Sequence, residues 1–480
     1  MMSSFVEFYD NALKALPKTA PWLNAMREKA RHDFVKRGLP NKSMEAWKYT
    51  SLDAFLEARF TLSSLASLDV TTYSSTTSRP HDLIAGLSAG SIADASFLDP
   101  ADKPRGVVGE QLRLDETLTV PEGVKVLPLL EAMTTEQALV QKHLNSLAQP
   151  IDGFMTLNNA SFQNGLLIYV PKNLAIEAPL WLRHKPCNSD EGYAIRHLII
   201  LEDGASLTLV EDYCGEEEEA YWMNTASEIF LSPNANLTHY KVQRDGSKSF
   251  HTGHTFVKLN THSEYQSHMI NLSAGFSRND LVINLDAPHA RCMMNGLYLT
   301  KNKAYCDYHT TVHHHVGFCE SEQDYKGILC DKSRAVFNGQ VVVAKGADKT
   351  VAKQQNKNLL LSTTAEMDTK PELQIYADDV ICTHGATVGQ LDNDALFYLQ
   401  ARGLSPDEAR QCLIEAFLSE NLAICANAMT TPRGLSAGSK VVALSLDPAD
   451  KPRDVETGQT ITIKDWLTTL VRLQLQKAPS

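Results

Sequence analysis

Between residues 151 and 392 the chain loses the helical period, and this most limits what it can fold into. Short apolar runs take over: GLLIYV, PLWLRH, IRHLIILE, SLTLVEDY, SEIFLS, LTHYKVQR, HTFVKLN, YQSHMINL, DLVINLD, NGLYLT, HTTVHHHV, YKGILC, AVFNGQVVVA, NLLLS, LQIYA and VICTH. They recur at roughly ten- to fifteen-residue spacing, separated by turn formers such as EDGAS, SPNAN and AKGAD, which is the pattern of successive strands. A sandwich, a propeller and a solenoid all use evenly spaced short strands. Sixteen runs exceed what a sandwich needs, and no blade motif recurs at the forty- to fifty-residue period of a propeller. Asn-bearing strand ends and persistent spacing favour a β-helix, each coil stacking its apolar face on the next.

Helices flank this region. FVEFYDNALKAL and PWLNAMREKARHDFVKRG carry apolar groups at three- and four-residue spacing. SMEAWKYTSLDAFL follows Pro40 with Ser43 as cap, and TTEQALVQKHLNSLA, residues 134–148, has a Thr cap followed by Glu in capping-box style. Residues 61–128 read as loops and short strands. NDALFYLQARG ends at Gly403. In SPDEARQCLIEAFLSENLAI, Ser405 is the cap, Pro406 the first helical residue and Glu408 completes the box, with Ala409, Leu413, Ala416, Phe417 and Ile424 on one broad face. IKDWLTTLVRLQLQ is a last short helix. The expected organisation is a helical and mixed domain at 1–150, a β-helix core at 151–392 and a helical domain at 393–480.

Composition removes several function classes. Apolar residues are 43% and charged residues 21% of the 480, an ordinary globular balance, and the formal charge of -12 gives no footprint for nucleic acid or anionic lipid. The N-terminus has no basic region followed by an apolar stretch, and no run approaches the ~20 residues of a membrane span, so a cytoplasmic protein is expected. Nine cysteines, widely spread and without a CxxC pair, read as reduced thiols, mostly small buried groups. No nucleotide, hydrolase or dehydrogenase motif is present, and GLSAGSK spaces its glycines wrongly for a phosphate loop. The one long exact repeat, LDPADKPR at 98–105 and 446–453, sets no solenoid period.

Two clusters are candidate metal ligands. In HTTVHHHVGFC, strand parity puts His309, His313 and His315 on one face and His314 on the other; with no acidic partner read at matching parity, a polar strand edge or an Asn- and His-lined ladder accounts for them better than a metal face does. Cys382 and His384 share one side of the last strand, thiolate and imidazole together suiting iron, zinc or copper. Two ligands do not complete a centre. From the residues alone, a buried thiol beside a hydrogen-bonded imidazole accounts for the pair.

The blocks EAWKYTSL, SRNDLVINL, NGLYLT, FCESEQDYKGIL, RAVFNGQVVVA, QQNKNLLLS and TKPELQIYADDVICTHGATVGQLDNDALFYLQARGLS resemble the SufD branch of the SufB/SufD family, scaffold subunits of SUF iron-sulfur cluster assembly. The resemblance spans residues 43–420. It implies a right-handed parallel β-helix between N- and C-terminal helical domains, and a non-enzymatic subunit paired with its paralogue SufB. It further implies that the C-terminal helices dock the ATPase SufC, and that sulfur arrives from a partner cysteine desulfurase. Cargo would be iron or a transient iron-sulfur cluster at the SufB interface, with no nucleotide bound by this chain.

The family's ADDVKCSHGAT maps onto Ala377 to Thr387, with Ile381 where Lys is usual and Thr383 where Ser is usual. His384 falls on the family's interface histidine and Cys382 on the accompanying cysteine. Leu396, Phe397, Leu413 and Phe417 are the candidate SufC anchors, or pack the two helices together. The competing readings are an exported β-helix enzyme acting on polysaccharide, which would need a groove of clustered carboxylates, and a homodimeric binding protein.

Overall fold

The computed structural model describes residues 2–16, 19–63, 68–73, 120–273, 275–427 and 467–472. Its centre is a parallel β-solenoid of about eight coils, each built from one strand of each of two sheets. Sheet I stacks β4 (Leu166–Val170), β6 (Glu191–Leu201), β8 (Tyr221–Leu231), β10 (Phe250–Leu259), β12 (Phe276–Leu285), β14 (Tyr305–His314), β16 (Arg334–Val343) and β18 (Glu366–Ile375). Sheet II stacks β5 (Leu180–Pro186), β7 (Ser206–Cys214), β9 (Asn236–Arg244), β11 (Glu264–Asn271), β13 (Arg291–Thr300), β15 (Glu320–Leu329), β17 (Thr350–Leu360) and β19 (Val380–Gly389). All sixteen sequence runs fall within or overlap these strands, one for one.

The segment before the solenoid contributes strands as well as helices. β1 (Thr61–Leu62) joins β6 in parallel, whereas β2 (Leu68–Tyr73) and β3 (Lys125–Pro128) run antiparallel to β5 and β4 at the starting ends of the sheets. Most of residues 61–128 and both copies of LDPADKPR lie outside the described residues.

Register is strict. Phe250, Phe276, Tyr305 and Arg334 lie side by side across four coils, and so do the positions that follow them. At one corner each coil turns through a residue of positive φ: Asn173, Gly204, Asn234, His262, His289, Phe318 and Lys349. Most donate their backbone N–H to the next coil, Asn173 to Asp203 at 2.8 Å, Gly204 to Pro233 at 2.9 Å, Asn234 to Thr261 at 3.0 Å and Phe318 to Asp348 at 2.9 Å. Asn and Gly enter this conformation readily, while the bulkier residues cost of order 1 kcal/mol or more each, offset by the bond and by stacking. The His262 and His289 rings stack 4.7 Å apart and 5° from parallel, the spacing of the strands beneath them.

Both outer faces of the solenoid are covered. Over sheet I lie α1 (Met2–Lys14), α2 (Pro21–Arg37), a turn of 3₁₀ helix (Glu45–Trp47), α3 (Asp53–Ala58), α4 (Leu129–Thr135), α5 (Gln137–His143) and α6 (Gly153–Ser161). Phe5, Tyr9, Trp47, Phe55 and Phe154 pack with Trp222, and Leu129, Met133 and Val140 with Leu167 and Leu198. After α7 (Asn393–Ala401), α8 (Pro406–Asn427) lays Ile414 and Leu418, with Leu467, Leu470 and Val471, on Tyr240, Val242, Ile270, Leu297 and Ile328 of sheet II. The Ser405 box forms, its backbone N–H donating to the Glu408 carboxylate at 2.8 Å. The buried stripe of α8 is Ala409, Ile414, Leu418 and Asn421, and Ala416 is exposed.

The other two expected caps do not form. Met44 precedes the 3₁₀ turn while the Ser43 hydroxyl donates to Asn41, and Thr134 and Thr135 end α4, leaving Glu136 ahead of α5 without a side-chain cap bond. Glu228 joins the N-terminal segment to sheet I instead: its carboxylate accepts N–H bonds from Asn145 (2.7 Å), Leu147 (2.9 Å) and Ala148 (3.0 Å) and pairs with the fully buried Arg196 at 2.8 Å.

The lumen is apolar at its sides and polar along a middle strip. Leu209, Ile199, Leu259 and Ile283 belong to its core, yet β9 turns His239, Lys241 and Gln243 inward and Tyr240 and Val242 outward beneath α8. Lys241 lies 3.3 Å from the Thr225 hydroxyl and 5.1 Å from the Tyr213 ring centre. Gly253 makes room for it, since a Cβ there would stand 2.5 Å from Nζ and 2.7 Å from the Asn279 side-chain oxygen Oδ1. Burial lowers the Lys241 amine to about 8, although Glu211 and Asp245 pull it the other way.

Two outcomes are expected. Glu228→Ala leaves Arg196 buried without its carboxylate and three amides without an acceptor, so stability falls by about 3–5 kcal/mol, read as a lower urea midpoint. An amine lowered on folding destabilises while charged, so the Lys241 contribution improves as pH rises from about 8 toward its ordinary value of 10.5. Urea midpoints of wild type and Lys241→Met, measured across that window, should diverge in favour of wild type as pH rises.

Candidate functional site

Among the described residues nothing caps the end of the solenoid. β18 and β19 each have a strand neighbour on one side only, and Ile375, Tyr376, Ile381 and Val388 of this last coil are exposed. β19 forms because VICTHGATVG carries β-branched residues and pairs with β17 along its whole length. No further coil follows, because Asp392 caps α7 by accepting from the N–H groups of Asp394 and Ala395.

Cys382 and His384 sit in register with Ala352 and Gln354, both buried. The Gln354 amide donates to Gln323 at 3.3 Å, and Gln323 accepts from Thr310 of sheet I at 2.7 Å, so this column faces the lumen. His384 ends a row that runs through His239, Ser267, Met294, Gln323 and Gln354. One residue pair is thereby split in character by position. Cys382 is half-buried against Val341, Val343, Ala347 and Ala352, and His384 is exposed. Burial pushes the Cys382 thiol up, and the Ala352 backbone offsets only part of this.

A cavity of about 320 Å³ lies between sheet II and α8, with Thr383, His384 and Gly385 forming the wall nearest the open end. Glu322, Asp324 and Glu420 line it together with Lys353. Burial pushes the Asp324 carboxyl up, and Glu420 is tied to Lys326 at 3.0 Å.

The helical anchors divide. Phe397 on α7 is 74% exposed beside the exposed Tyr398, and Leu396 is half-buried. Leu413 and Phe417 on α8 are half-buried, and Phe417 is held by Lys326, whose ammonium lies 5.5 Å from its ring centre and donates to its carbonyl at 3.0 Å. The histidine run is also divided. His314 turns inward onto the Ser321 hydroxyl at 2.9 Å, His309 pairs with Asp307 at 2.9 Å, and His313 stacks on His315. Asp307 precedes His309 by two residues and shares its face, an acidic partner that the sequence reading overlooked.

Among the described residues no helix is long and apolar enough to cross a membrane. Residues 185–417 match the family described as SUF system FeS cluster assembly, SufBD core domain, and residues 1–77 and 108–182 match SufBD protein N-terminal region. An iron-sulfur cluster assembly SufBD family protein of Synechocystis is 31% identical over 401 residues, covering 80% of this chain and 83% of the relative. This chain belongs to the SufBD family. Iron-sulfur cluster assembly protein SufD of Escherichia coli is 30% identical over 401 residues, 81% of this chain and 85% of that protein, so within the family the chain is SufD-like. The chloroplastic protein ABCI7 of Arabidopsis thaliana is 27% identical over 435 residues, 86% of this chain and 85% of its own.

The SufBD chain described here should show graded thiol reactivity. Iodoacetamide at pH 7.5 is expected to label the exposed Cys187 and Cys412 well before Cys382, by peptide mass mapping, with the Cys382 rate climbing only above the ordinary thiol range. Labelling of Cys382 as fast as Cys412 at pH 7.5 would contradict the packing described.

Proposed function

We propose that this chain is a non-catalytic scaffold subunit whose uncapped last coil receives a SufB-like paralogue. The interface so formed is where iron or a nascent iron-sulfur cluster is held as cargo. The observation that carries this reading is the end of the solenoid itself: two strand edges, four exposed apolar side chains and an exposed imidazole in one place. Open edges of this kind pair with other strands, and apolar groups around them supply the burial that association needs.

At that end His384 offers an imidazole nitrogen to iron, a borderline ligand, with the main ligands coming from the paralogue. Cys382 is the weaker donor, because its raised thiol must lose a proton in a half-buried site. The exposed Phe397 and Tyr398 of α7 fit a docking role for the ATPase SufC better than Phe417, which Lys326 already holds. A compartment containing the other SUF subunits, with a desulfurase as sulfur source, follows from the same reading.

Tagged chain purified without oxygen from its host should bring down a SufB-like paralogue and a SufC-like ATPase. His384→Ala should leave that assembly intact while lowering its iron and sulfide content severalfold. Normal assembly with wild-type iron and sulfide would remove His384 from the site, and recovery only as a homodimer with both partners expressed would overturn the scaffold reading.

A further inference from the structure

On sheet I, under the N-terminal segment, three carboxylates are buried around one guanidinium. Arg278 donates through Nε and Nη2 to Asp280 at 3.0 and 3.1 Å and through Nη1 to Asp307 at 2.7 Å, while Trp47 covers it with its ring centre 3.9 Å away. The third carboxylate is Asp152, 3% exposed, which caps α6 by accepting from Met155 N–H at 2.8 Å. Two imidazoles complete the group: His309 on Asp307, and His254, 2% exposed, between Asp152 and Asp280. Despite burial, Arg278 and His309 hold the Asp307 carboxyl down at about 2.

Three carboxylates gather around one guanidinium in a place nearly closed to water, a costly arrangement unless further positive charge joins them. His254 Nε2 meets only carboxylate oxygens, at 3.3 Å from both oxygens of Asp152 and 4.0 Å from Asp280, so it needs either a proton or a cation in front of it. A charge-assisted N–H bond would close to about 2.7–2.9 Å on one oxygen. By contrast, about 3.3 Å is the separation of neighbouring ligand atoms around an ion with bonds of about 2.0–2.1 Å. One ligand atom from each of Asp152, His254 and Asp280 lies within 4.8 Å of the others. Arg278 uses one lone pair on each Asp280 oxygen, and a carboxylate has about four such positions.

We infer that Asp152, His254 and Asp280 form a binding site for one divalent transition-metal ion, ferrous iron or zinc, that staples the start of α6 to strands β10 and β12. Two carboxylates and one imidazole suit these ions, and the positive charge of the ion offsets the excess of carboxylates. The site is on the opposite sheet from β19, and it stands or falls separately from the His384 reading. His254 and Asp280 face one another only through the β10–β12 register, and Asp152 arrives from more than a hundred residues earlier, so no sequence motif announces them.

Full-length chain stripped with chelator and titrated with Co(II) should bind one equivalent at this site, with visible bands of nitrogen and oxygen ligation. His254→Gln and Asp280→Asn should each weaken that binding tenfold or more, and His384→Ala should leave it unchanged. Should either variant fail to fold, wild-type protein supplies the second measurement: Zn(II) should raise its melting temperature and slow amide exchange at 152–156. Binding that survives both variants, or that only His384→Ala abolishes, overturns the site. So does absence of Co(II) binding by the folded wild-type chain, since the Nε2–H of His254 then itself bonds to the Asp152 carboxylate.

Discussion

In-register stacking of parallel coils is the constraint on which everything else rests. Each backbone N–H and C=O of a strand is satisfied by the coils on either side, so a coil is stable only when its neighbours hold the same alignment. That requirement explains why one corner is turned through positive φ in coil after coil, even where His262, His289, Phe318 or Lys349 must adopt the conformation. It also produces the rows of like groups: the stacked His262 and His289, the Phe250, Phe276 and Tyr305 rings, and the glutamines that lead to His384. Side chains in such rows are set by position in the coil more than by their neighbours in sequence.

Strand number and order were legible because alternation and turn formers are local signals, and the Ser405 box was legible for the same reason. What depended on alignment between coils was not. Coil lengths vary, so the meeting of His254 with Asp280 cannot be read from spacing. The caps at Ser43 and Thr134 do not form because the Ser43 hydroxyl turns back to Asn41 and Thr134 lies within α4, whose Leu129 and Met133 pack on sheet I.

Polarity misleads in a particular way here. In most strands with one covered face, polar residues point to water. β9 reverses this: Tyr240 and Val242 pack outward under α8, and His239, Lys241 and Gln243 fill the lumen. With both faces covered, alternation still locates the strand but no longer says which side is inside. The Cys382 and His384 pair shows the limit of parity from the other direction. Sharing a side was readable. Their different exposure was not, since it arises where the stack stops.

The two ends of the solenoid differ in kind. At its start the parallel ladder is met by antiparallel strands, and β3 is short, bounded by Lys125 and Pro128, features that discourage further pairing. At its finish, among the described residues, the ladder is simply interrupted. A stack with one blunt and one open terminus cannot polymerise by repeating the same contact: whatever joins the open terminus consumes it. For the described residues, a contact made through the open terminus cannot be repeated through the blunt one, so that contact alone builds a pair and not a filament.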